Sequence, residues 1–364
     1  MPFSDFHGNA ETVHRLRDML ARERFPHAVI LSGASGSGKY TLALMLAQAM
    51  NCLAPIETDG LPDFCGRCVN CTRIAQAADL DARFAEAVEA RDNMREADKK
   101  EARIFVQTHP DVLIIPPDPP QMMVKVDQVR RVIDSIYYRP AEGRERVYIF
   151  TDSAFIKEAA NSLLKVLEEP PEFATILLLS ENPGELLATI RSRSMTFPLR
   201  ALSVEEIESD LAKRRPEWKP PQRALVARLS EGALGRARNF DLAAYVAARA
   251  DALTILNSVR AAEHGELFKV TETYRPGAEG REKTEHLLHA LYSLLRDLMF
   301  LGSGAPQLVC NTDIPAELDK LAESVDFDWI ASTSDRLAEV QRGMRRNLLR
   351  SLSLDAFAVA LEKA

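Results

Sequence analysis

The chain has 364 residues, of which 46% are hydrophobic and 27% charged, and its formal net charge is −7. This length predicts two or three domains of an ordinary globular protein. The acidic balance excludes a protein drawn to nucleic acid by a global positive field, and leaves room only for a local basic patch. Neither a run of about 18 apolar residues nor a signal-peptide pattern occurs, so we expect a cytoplasmic protein without a membrane partner.

Helical patterns and short apolar runs alternate over the first 200 residues. Amphipathic or apolar periodicity predicts helices at 10–24, 42–50, 127–138 and 161–169, and apolar runs predict buried strands at 28–31, 112–115, 147–150, 176–179 and 195–199. This alternation indicates an α/β fold whose parallel sheet is covered on both faces. Beyond Arg200 the pattern is mostly helical, and Ser203 with Glu206 forms a predicted capping box.

A glycine-rich segment joins the first predicted strand to the next helix. Its spacing, Gly33-x4-Gly38-Lys39, is that of a P-loop. In such a loop, backbone N–H groups and the helix N-terminus face a polyphosphate, and the lysine neutralises the outer phosphates. The sequence therefore predicts a site for ATP or ADP, and the candidate binding residues are Gly33, Gly36, Ser37, Gly38, Lys39, Tyr40, Thr41 and Asp152.

Two positions depart from a P-loop that hydrolyses ATP. Tyr40 stands where a Ser or Thr hydroxyl would bind Mg²⁺, and Thr41 points roughly 100° away on a helix. After the strand at 147–150, Asp152 is in place to hold Mg²⁺. Ser153, however, stands where a glutamate would polarise the attacking water. We therefore expect nucleotide binding with little or no hydrolysis.

Four of the five cysteines form one cluster with the pattern C-x12-C-x2-C-x2-C: Cys52, Cys65, Cys68 and Cys71. Four thiolates close a tetrahedral zinc site with no open position, which predicts a structural metal. Chance clustering and a redox pair are the alternatives. Cys310 stands apart and is predicted to be a small buried residue. A charged, alanine-rich stretch at 79–103 follows the cluster and predicts one exposed helix of unknown function.

Further motifs carry a resemblance to a known family. They are Arg-Phe-Pro-His-Ala at 24–28, His-Pro-Asp at 109–111, Asn-Ser-Leu-Leu-Lys-Val-Leu-Glu-Glu-Pro-Pro at 161–171 and Thr-Ile-Arg-Ser-Arg-Ser at 189–194. With the P-loop and the cysteine cluster, and in this order, they resemble the subunits of the bacterial DNA polymerase III clamp loader, a branch of the AAA+ proteins. The resemblance covers about the first 240 residues.

The resemblance implies three domains. An α/β P-loop (AAA+) domain with a parallel sheet spans 1–200, with a zinc-knuckle module and insertion at about 52–108. A small helical lid domain spans 201–242, and an all-α collar domain for oligomerisation spans 243–364.

The same resemblance assigns a role to Arg193. In this family a Ser-Arg-Cys motif projects an arginine into the ATP site of the neighbouring subunit, where such a group is worth about 10³ to 10⁵ in rate. Ser192 and Arg193 match the motif and Ser194 replaces its cysteine; Arg191 is the lesser candidate. Weaker sensor candidates are Ser180 or Asn182, and Arg236 next to Gly235, the position where the family's second sensor arginine aligns.

The implied function is a non-hydrolysing or weakly active scaffold of a clamp loader. Its expected partners are the motor subunits and the delta subunit in a hetero-pentamer, with the sliding clamp and primed DNA reached through the complex. One alternative is that the chain is itself the ATP-hydrolysing motor subunit of the same clamp loader. Another is a zinc-bearing nucleic-acid-binding regulator on a degenerate P-loop fold, which the acidic charge disfavours.

Overall fold

The computed structural model describes residues 2–261, 269–274, 278–344 and 356–357. Contacts divide the chain into two units. The first comprises Met1–Leu202 and Ala233–Arg236, and the second Ser203–Gly232 and Ala237–Ala364. The division into P-loop, lid and collar domains stays a prediction, and part of the predicted collar lies outside the described residues.

The first unit is built on a six-stranded sheet with the order β4-β5-β6-β7-β1-β8. In chain order the strands are β1 (Ala28–Ser32), β2 (Ile56–Thr58), β3 (Leu61–Asp63), β4 (Val106–His109), β5 (Val112–Ile115), β6 (Arg146–Phe150), β7 (Ala174–Ser180) and β8 (Met195–Pro198). Four of the five neighbouring pairs run parallel, while β4 joins the edge antiparallel to β5. Strands β2 and β3 form a separate hairpin. The predicted parallel sheet is present, as part of a mixed sheet.

Fifteen helices are described: α1 (Ala10–Ala21), α2 (Lys39–Asn51), α3 (Val69–Ala75), α4 (Leu80–Asp92), α5 (Glu96–Glu101), α6 (Val126–Ile136), α7 (Lys157–Glu168), α8 (Ala188–Arg191), α9 (Val204–Arg214), α10 (Pro220–Leu229), α11 (Leu234–Arg238), α12 (Leu242–Ala261), α13 (Ala278–Gly302), α14 (Pro315–Ala322) and α15 (Phe327–Met344). Short 3₁₀ turns occur at Phe3–Asp5, Pro183–Glu185 and Pro306–Leu308.

The sheet of the first unit is buried on both faces. Successive residues of β1 point to opposite sides, so Leu31 joins the core formed with α1, α2 and α3, while Ile30 joins the core formed with α6, α7 and α8. All residues of β1 and β7 are buried. This double burial explains the continuous apolar runs that made these strands predictable.

The stretch at 79–103 differs from the prediction of one helix. It contains two helices, α4 and α5, separated where the backbone of Arg95 turns to an extended conformation (φ −68°, ψ 149°). Near the end of α4, Arg91 pairs with the buried carboxylate of Asp118 at 3.2 Å. None of the residues of α4 is buried, but several of them, including Arg91, are only partly exposed.

The second unit is helical in its described part, as the sequence predicts. The capping box of α9 is present: the Ser203 hydroxyl accepts from the Glu206 N–H at 3.2 Å, and the Glu206 carboxylate accepts from the Ser203 N–H at 2.8 Å. Asp297 is fully buried and accepts the backbone N–H groups of Cys310 and Asn311. Cys310 is buried as predicted, and burial raises the pKa of its thiol. No helix among the described residues has the length and apolarity to cross a membrane.

Candidate functional site

The P-loop lies between β1 and α2, and two of its glycines are required by geometry. Gly36 and Gly38 have left-handed φ angles of +77° and +92°, which other residues adopt only with strain. A Cβ atom on Gly36 would lie 2.7 Å from the backbone nitrogen of Arg236, and one on Gly38 would lie 3.1 Å from the Phe6 ring. The loop therefore holds its shape through close contacts with residues from both ends of the first unit.

The ammonium group of Lys39 is hydrogen-bonded to the P-loop itself. Its ammonium donates to the carbonyl oxygens of Gly33 and Ala34 at 2.6 and 2.8 Å. Burial lowers the pKa of Lys39, and the carboxylates of Glu181 and Asp152 act in the opposite direction. Lys39 begins α2, which follows β1, while Asp152 and Glu181 follow β6 and β7, so all three residues lie at the carboxyl edge of the sheet. This is the edge where open parallel sheets bind ligands.

Neither hydroxyl that follows Lys39 is placed like a magnesium ligand. The Tyr40 hydroxyl donates to the backbone carbonyl of Ala77, beyond α3, at 2.6 Å. Burial raises the pKa of this phenol, which therefore remains protonated. Thr41 lies on the exposed side of α2. The hydroxyl of Ser37 is buried without a hydrogen-bond partner among the described residues.

Two serines occupy the ends of the strands next to the loop. Asp152 is exposed, and its carboxylate accepts the N–H of Ala154 at 2.9 Å. Ser153 is buried, and its hydroxyl accepts a hydrogen bond from the Ser180 hydroxyl at 3.0 Å. This neutral pair carries no group basic enough to polarise water near pH 7. The other sensor candidate, Asn182, has its side-chain oxygen engaged by the N–H of Gly184 at 3.0 Å.

The second sensor position also lacks room for an arginine. The N–H of Gly235 donates to the Gly36 carbonyl at 2.8 Å. A Cβ atom on Gly235 would lie 2.8 Å from that same oxygen, closer than such atoms pack. The backbone of Gly235 therefore approaches the loop in a way that only glycine permits, and Arg236 follows it in the chain.

The four clustered cysteines could hold a metal ion. Their sulfur atoms all lie within 4.8 Å of one another, and the Cys52 and Cys68 sulfurs are 4.0 Å apart. Four thiolates around one ion at about 2.3 Å would be separated by about 3.8 Å, so the group fits a tetrahedral site after small adjustments. The backbone N–H groups of Cys65 and Cys68 point at the sulfurs of Cys52 and Cys65 at 3.3 Å.

The electrostatics around these sulfurs favour the thiolate at two positions, because the pKa values of Cys65 and Cys68 are both lowered. Burial raises the pKa of Cys68, but the backbone N–H groups of Cys71 and Leu53 outweigh it and lower that pKa to about 6. Cys71 is fully buried, and burial raises the pKa of its thiol.

Hydrogen bonds between α2 and the cysteine module bind the module to the core. The Gln48 amide donates to the Cys71 carbonyl at 2.9 Å, and the Asn70 amide donates to the Asn51 carbonyl at 3.0 Å. Tyr40 adds its bond to Ala77 at the other end of the same helix. Helix α2 thus begins at the P-loop and ends at Asn51, directly before the first cysteine, Cys52. Sequence analysis identified both motifs and missed the side chains that join them.

The structure gives the His-Pro-Asp motif a structural role. The carboxylate of Asp111 accepts the backbone N–H groups of Ala141, Glu142 and Gly143 at 2.7, 2.8 and 2.7 Å. Burial alone would raise the pKa of Asp111, but these three donors lower it below its ordinary value. The His109 ring nitrogen Nδ1 accepts the Asp111 N–H at 3.1 Å, and burial lowers the pKa of this imidazole.

Arg193 lies two residues after α8, and its side chain reaches the end of α7. Its guanidinium pairs with Glu168 at 2.7 Å and donates to the Thr189 carbonyl at 3.0 Å. About a third of the side chain (35%) is exposed. Arg191 is also exposed. The pairing with Glu168 was not predicted, because nothing in sequence spacing brings residue 168 to residue 193.

The chain is similar in sequence to DNA polymerase III subunits of several bacteria. DNA polymerase III subunit tau of Escherichia coli (strain K12) is 32% identical over 237 residues, which are 64% of this chain and 31% of tau. DNA polymerase III subunit delta' of Bacillus subtilis (strain 168) is 25% identical over 303 residues, covering 82% of this chain and 79% of that protein. A solved gamma subunit-related protein from Thermotoga maritima gives a TM-score of 0.41 at 19% identity, covering 96% of this chain and 99% of that one.

The chain spans about a third of the length of the Escherichia coli tau subunit (31%). The model of the family described as DNA polymerase III, delta subunit matches residues 8–203, which is more than half of the chain. These residues include the P-loop, the cysteine cluster, the buried serine pair and Arg193. The chain therefore belongs to the DNA polymerase III, delta subunit family.

Proposed function

We propose that this chain is the delta-prime subunit of a bacterial clamp loader, a scaffold that hydrolyses ATP weakly or not at all. It works in the cytoplasm in a hetero-pentamer with the motor subunits and the delta subunit, and through that complex it helps to load the sliding clamp onto primed DNA. In this proposal the P-loop domain spans 1–200, the lid 201–242 and the collar 243–364. The similarity to the Bacillus subtilis delta' subunit over 82% of this chain supports the assignment.

One observation carries the scaffold role. The position after Asp152, where a hydrolysing subunit needs a carboxylate, holds Ser153, and that hydroxyl is bound to Ser180 in the protein interior. Serine is far too weak a base to replace glutamate near neutral pH. The magnesium-ligand position is occupied by Tyr40, whose hydroxyl is committed to Ala77. Nucleotide held by Lys39 and the loop N–H groups would then serve as a structural ligand.

Arg193 is the residue through which this subunit acts in catalysis. Charge builds on the phosphoryl group during transfer, and a guanidinium supplied by a neighbouring chain stabilises it. Arg193 suits this task because it is partly exposed and follows a short helix at the surface of its unit. The guanidinium of Arg193 is therefore accessible to a second subunit.

The four cysteines hold a structural zinc ion that keeps the module after α2 folded.

The test is Arg193→Ala in the reconstituted clamp loader, with Arg191→Ala as the matched control. We expect Arg193→Ala to lower DNA-stimulated ATP hydrolysis at the adjacent site by about 10³-fold or more, because arginine fingers contribute about 10³ to 10⁵ in rate. Arg191→Ala should leave hydrolysis close to that of the parent complex. Unchanged hydrolysis and clamp loading with Arg193→Ala would eliminate the finger role.

The motor subunit is the second candidate, and one observation favours it. The chain is 32% identical to the tau subunit over 237 residues and 25% identical to the delta' subunit over 303 residues. Steady-state ATP turnover by the purified chain separates the two functions. Mg²⁺-dependent hydrolysis that is lost with Lys39→Ala would establish the motor function, whereas nucleotide binding without turnover would support the scaffold.

A further inference from the structure

Glu168 and Arg193 form an ion pair at the surface of the first unit. The guanidinium Nη2 lies 2.7 Å from the carboxylate Oε1 of Glu168, and Nη1 donates to the carbonyl of Thr189 at 3.0 Å. Glu168 is the last residue of α7, and Thr189 lies in α8. The Arg193 side chain therefore bridges two separate helices, and its direction depends on both.

Both acceptors are held by the core beneath them. Leu167, next to Glu168, is 2% exposed, and Ile190, next to Thr189, is fully buried in the same apolar cluster. Helix α7 ends at Glu168, before Pro170 and Pro171, because a proline disfavours helical backbone at the residue before it. These contacts fix the backbone positions from which Arg193 is held.

The pair leaves the guanidinium able to bind something else. Arginine carries five N–H donors, more than the three described acceptors on Glu168, Thr189 and Ser192 take. The Arg193 and Glu168 side chains are 35% and 51% exposed. An exposed pair of this kind adds little to stability, so folding alone gives no strong reason for it.

We propose that Glu168 is a positioning residue for Arg193: it fixes the direction of the guanidinium at the surface before that group enters the neighbouring ATP site. This inference rests on the proposed role of Arg193 as an arginine finger. Holding a long, rotamer-rich side chain in one geometry before docking removes the entropy cost of ordering it later. The gain appears in the transition state, where the guanidinium must be aligned with the developing charge.

The experiment uses the reconstituted clamp loader and measures DNA-stimulated hydrolysis over a range of ATP concentrations. Glu168→Ala should lower kcat about two- to tenfold, the equivalent of ordering one such side chain, with little change in the KM for ATP. Glu168→Gln keeps an acceptor but loses the charge, so its kcat should fall between those of Glu168→Ala and the parent. Glu169→Ala removes the adjacent exposed carboxylate and should behave like the parent.

A double-mutant cycle separates this inference from the proposed function. In an Arg193→Ala background, Glu168→Ala should have no further effect on kcat, because Glu168 acts through the guanidinium. If Arg193→Ala itself leaves hydrolysis unchanged, the finger role fails. If Arg193→Ala lowers hydrolysis while Glu168→Ala matches Glu169→Ala, only the positioning role fails. A rise in kcat with Glu168→Ala would also overturn it, because Glu168 would then be competing with phosphate for Arg193.

Discussion

The hydroxyl of Ser180 donates to the hydroxyl of Ser153 at 3.0 Å, joining the ends of two neighbouring parallel strands, β6 and β7. Both residues are buried: Ser180 is 2% exposed and Ser153 is 7% exposed. In a hydrolysing subunit these two positions would polarise water and sense the outer phosphate. Here the two hydroxyls are hydrogen-bonded to each other in the protein interior, so the two strand ends form a neutral contact.

A glutamate at position 153 alone should not restore hydrolysis. In Ser153→Glu the new carboxylate would face the Ser180 hydroxyl, while Tyr40 would still lack a hydroxyl at the magnesium position. We expect ATP turnover by the purified chain to stay at the background rate, measured by phosphate release with saturating Mg²⁺ and ATP. Ser153→Ala is the control for the loss of the serine contact. Turnover in Ser153→Glu that disappears with Lys39→Ala would contradict this expectation.

Removing the Tyr40 hydroxyl should destabilise the first unit. Tyr40→Phe leaves the Ala77 carbonyl without its donor at a partly buried position, a change that costs about 1–3 kcal/mol. The free energy of unfolding, measured with urea, should fall by that amount. Tyr137→Phe is the matched control because Tyr137 is 56% exposed, and its effect should stay within about 0.5 kcal/mol. Equal stabilities of the two variants would show that the Tyr40 bond contributes little.

The cysteine cluster should bind one metal ion per chain. Cys68→Ser removes one of the four sulfurs and should abolish stoichiometric zinc, measured by elemental analysis of the purified protein. Thermal unfolding should then begin at a lower temperature, because metal binding contributes to folding. Cys310→Ser is the control, since Cys310 lies outside the cluster. Full zinc occupancy in Cys68→Ser would refute the assignment of these ligands.

Asp111 should stabilise the fold in a pH-dependent way. Its folded-state pKa lies below the ordinary value of 3.8 because three backbone N–H groups outweigh its burial. The stabilisation is therefore fully present above the ordinary pKa and is lost as the pH falls through the lowered, folded-state value. Asp111→Asn should reduce the unfolding free energy at pH 7 by about 1.5–3 kcal/mol.

Urea unfolding of the parent and Asp111→Asn at pH 7, 5 and 3 tests that sign. The difference in unfolding free energy between the two should stay constant from pH 7 to 5 and shrink toward pH 3. Asp134→Asn, an exposed change on α6, is the control. A difference that grows in acid would mean that Asp111 is stabilised in its protonated form.

The parts of the fold that the sequence predicted are those set by local rules. Buried runs such as 28–31 and 176–179 are apolar because both faces of the sheet are covered, and β1 and β7 are found there. The Ser203–Glu206 capping box depends on residues three apart and is present. The short edge strand β4 was missed, since only its first and last residues are buried and it includes no apolar run.

The candidate site was predictable only where spacing in sequence defines it. The P-loop and the four cysteines are close in sequence, and their side chains or backbones come together as expected. The partners of Tyr40, Ser153 and Arg193 lie 37, 27 and 25 positions away, and only the packed fold selects them. The break at Arg95 depends on backbone conformation that alanine-rich, charged composition does not specify.

The Tyr40–Ala77 bond has a consequence for how this chain could change over generations. A serine or threonine at position 40 would restore the residue type that coordinates magnesium, yet it would also leave a gap beside α3 and deprive a carbonyl of its donor. Ser153 would still stand without a carboxylate, so the stability cost would arrive before any catalytic gain. Return to an active ATPase would thus have to cross a less stable intermediate, which makes the present state resistant to reversal.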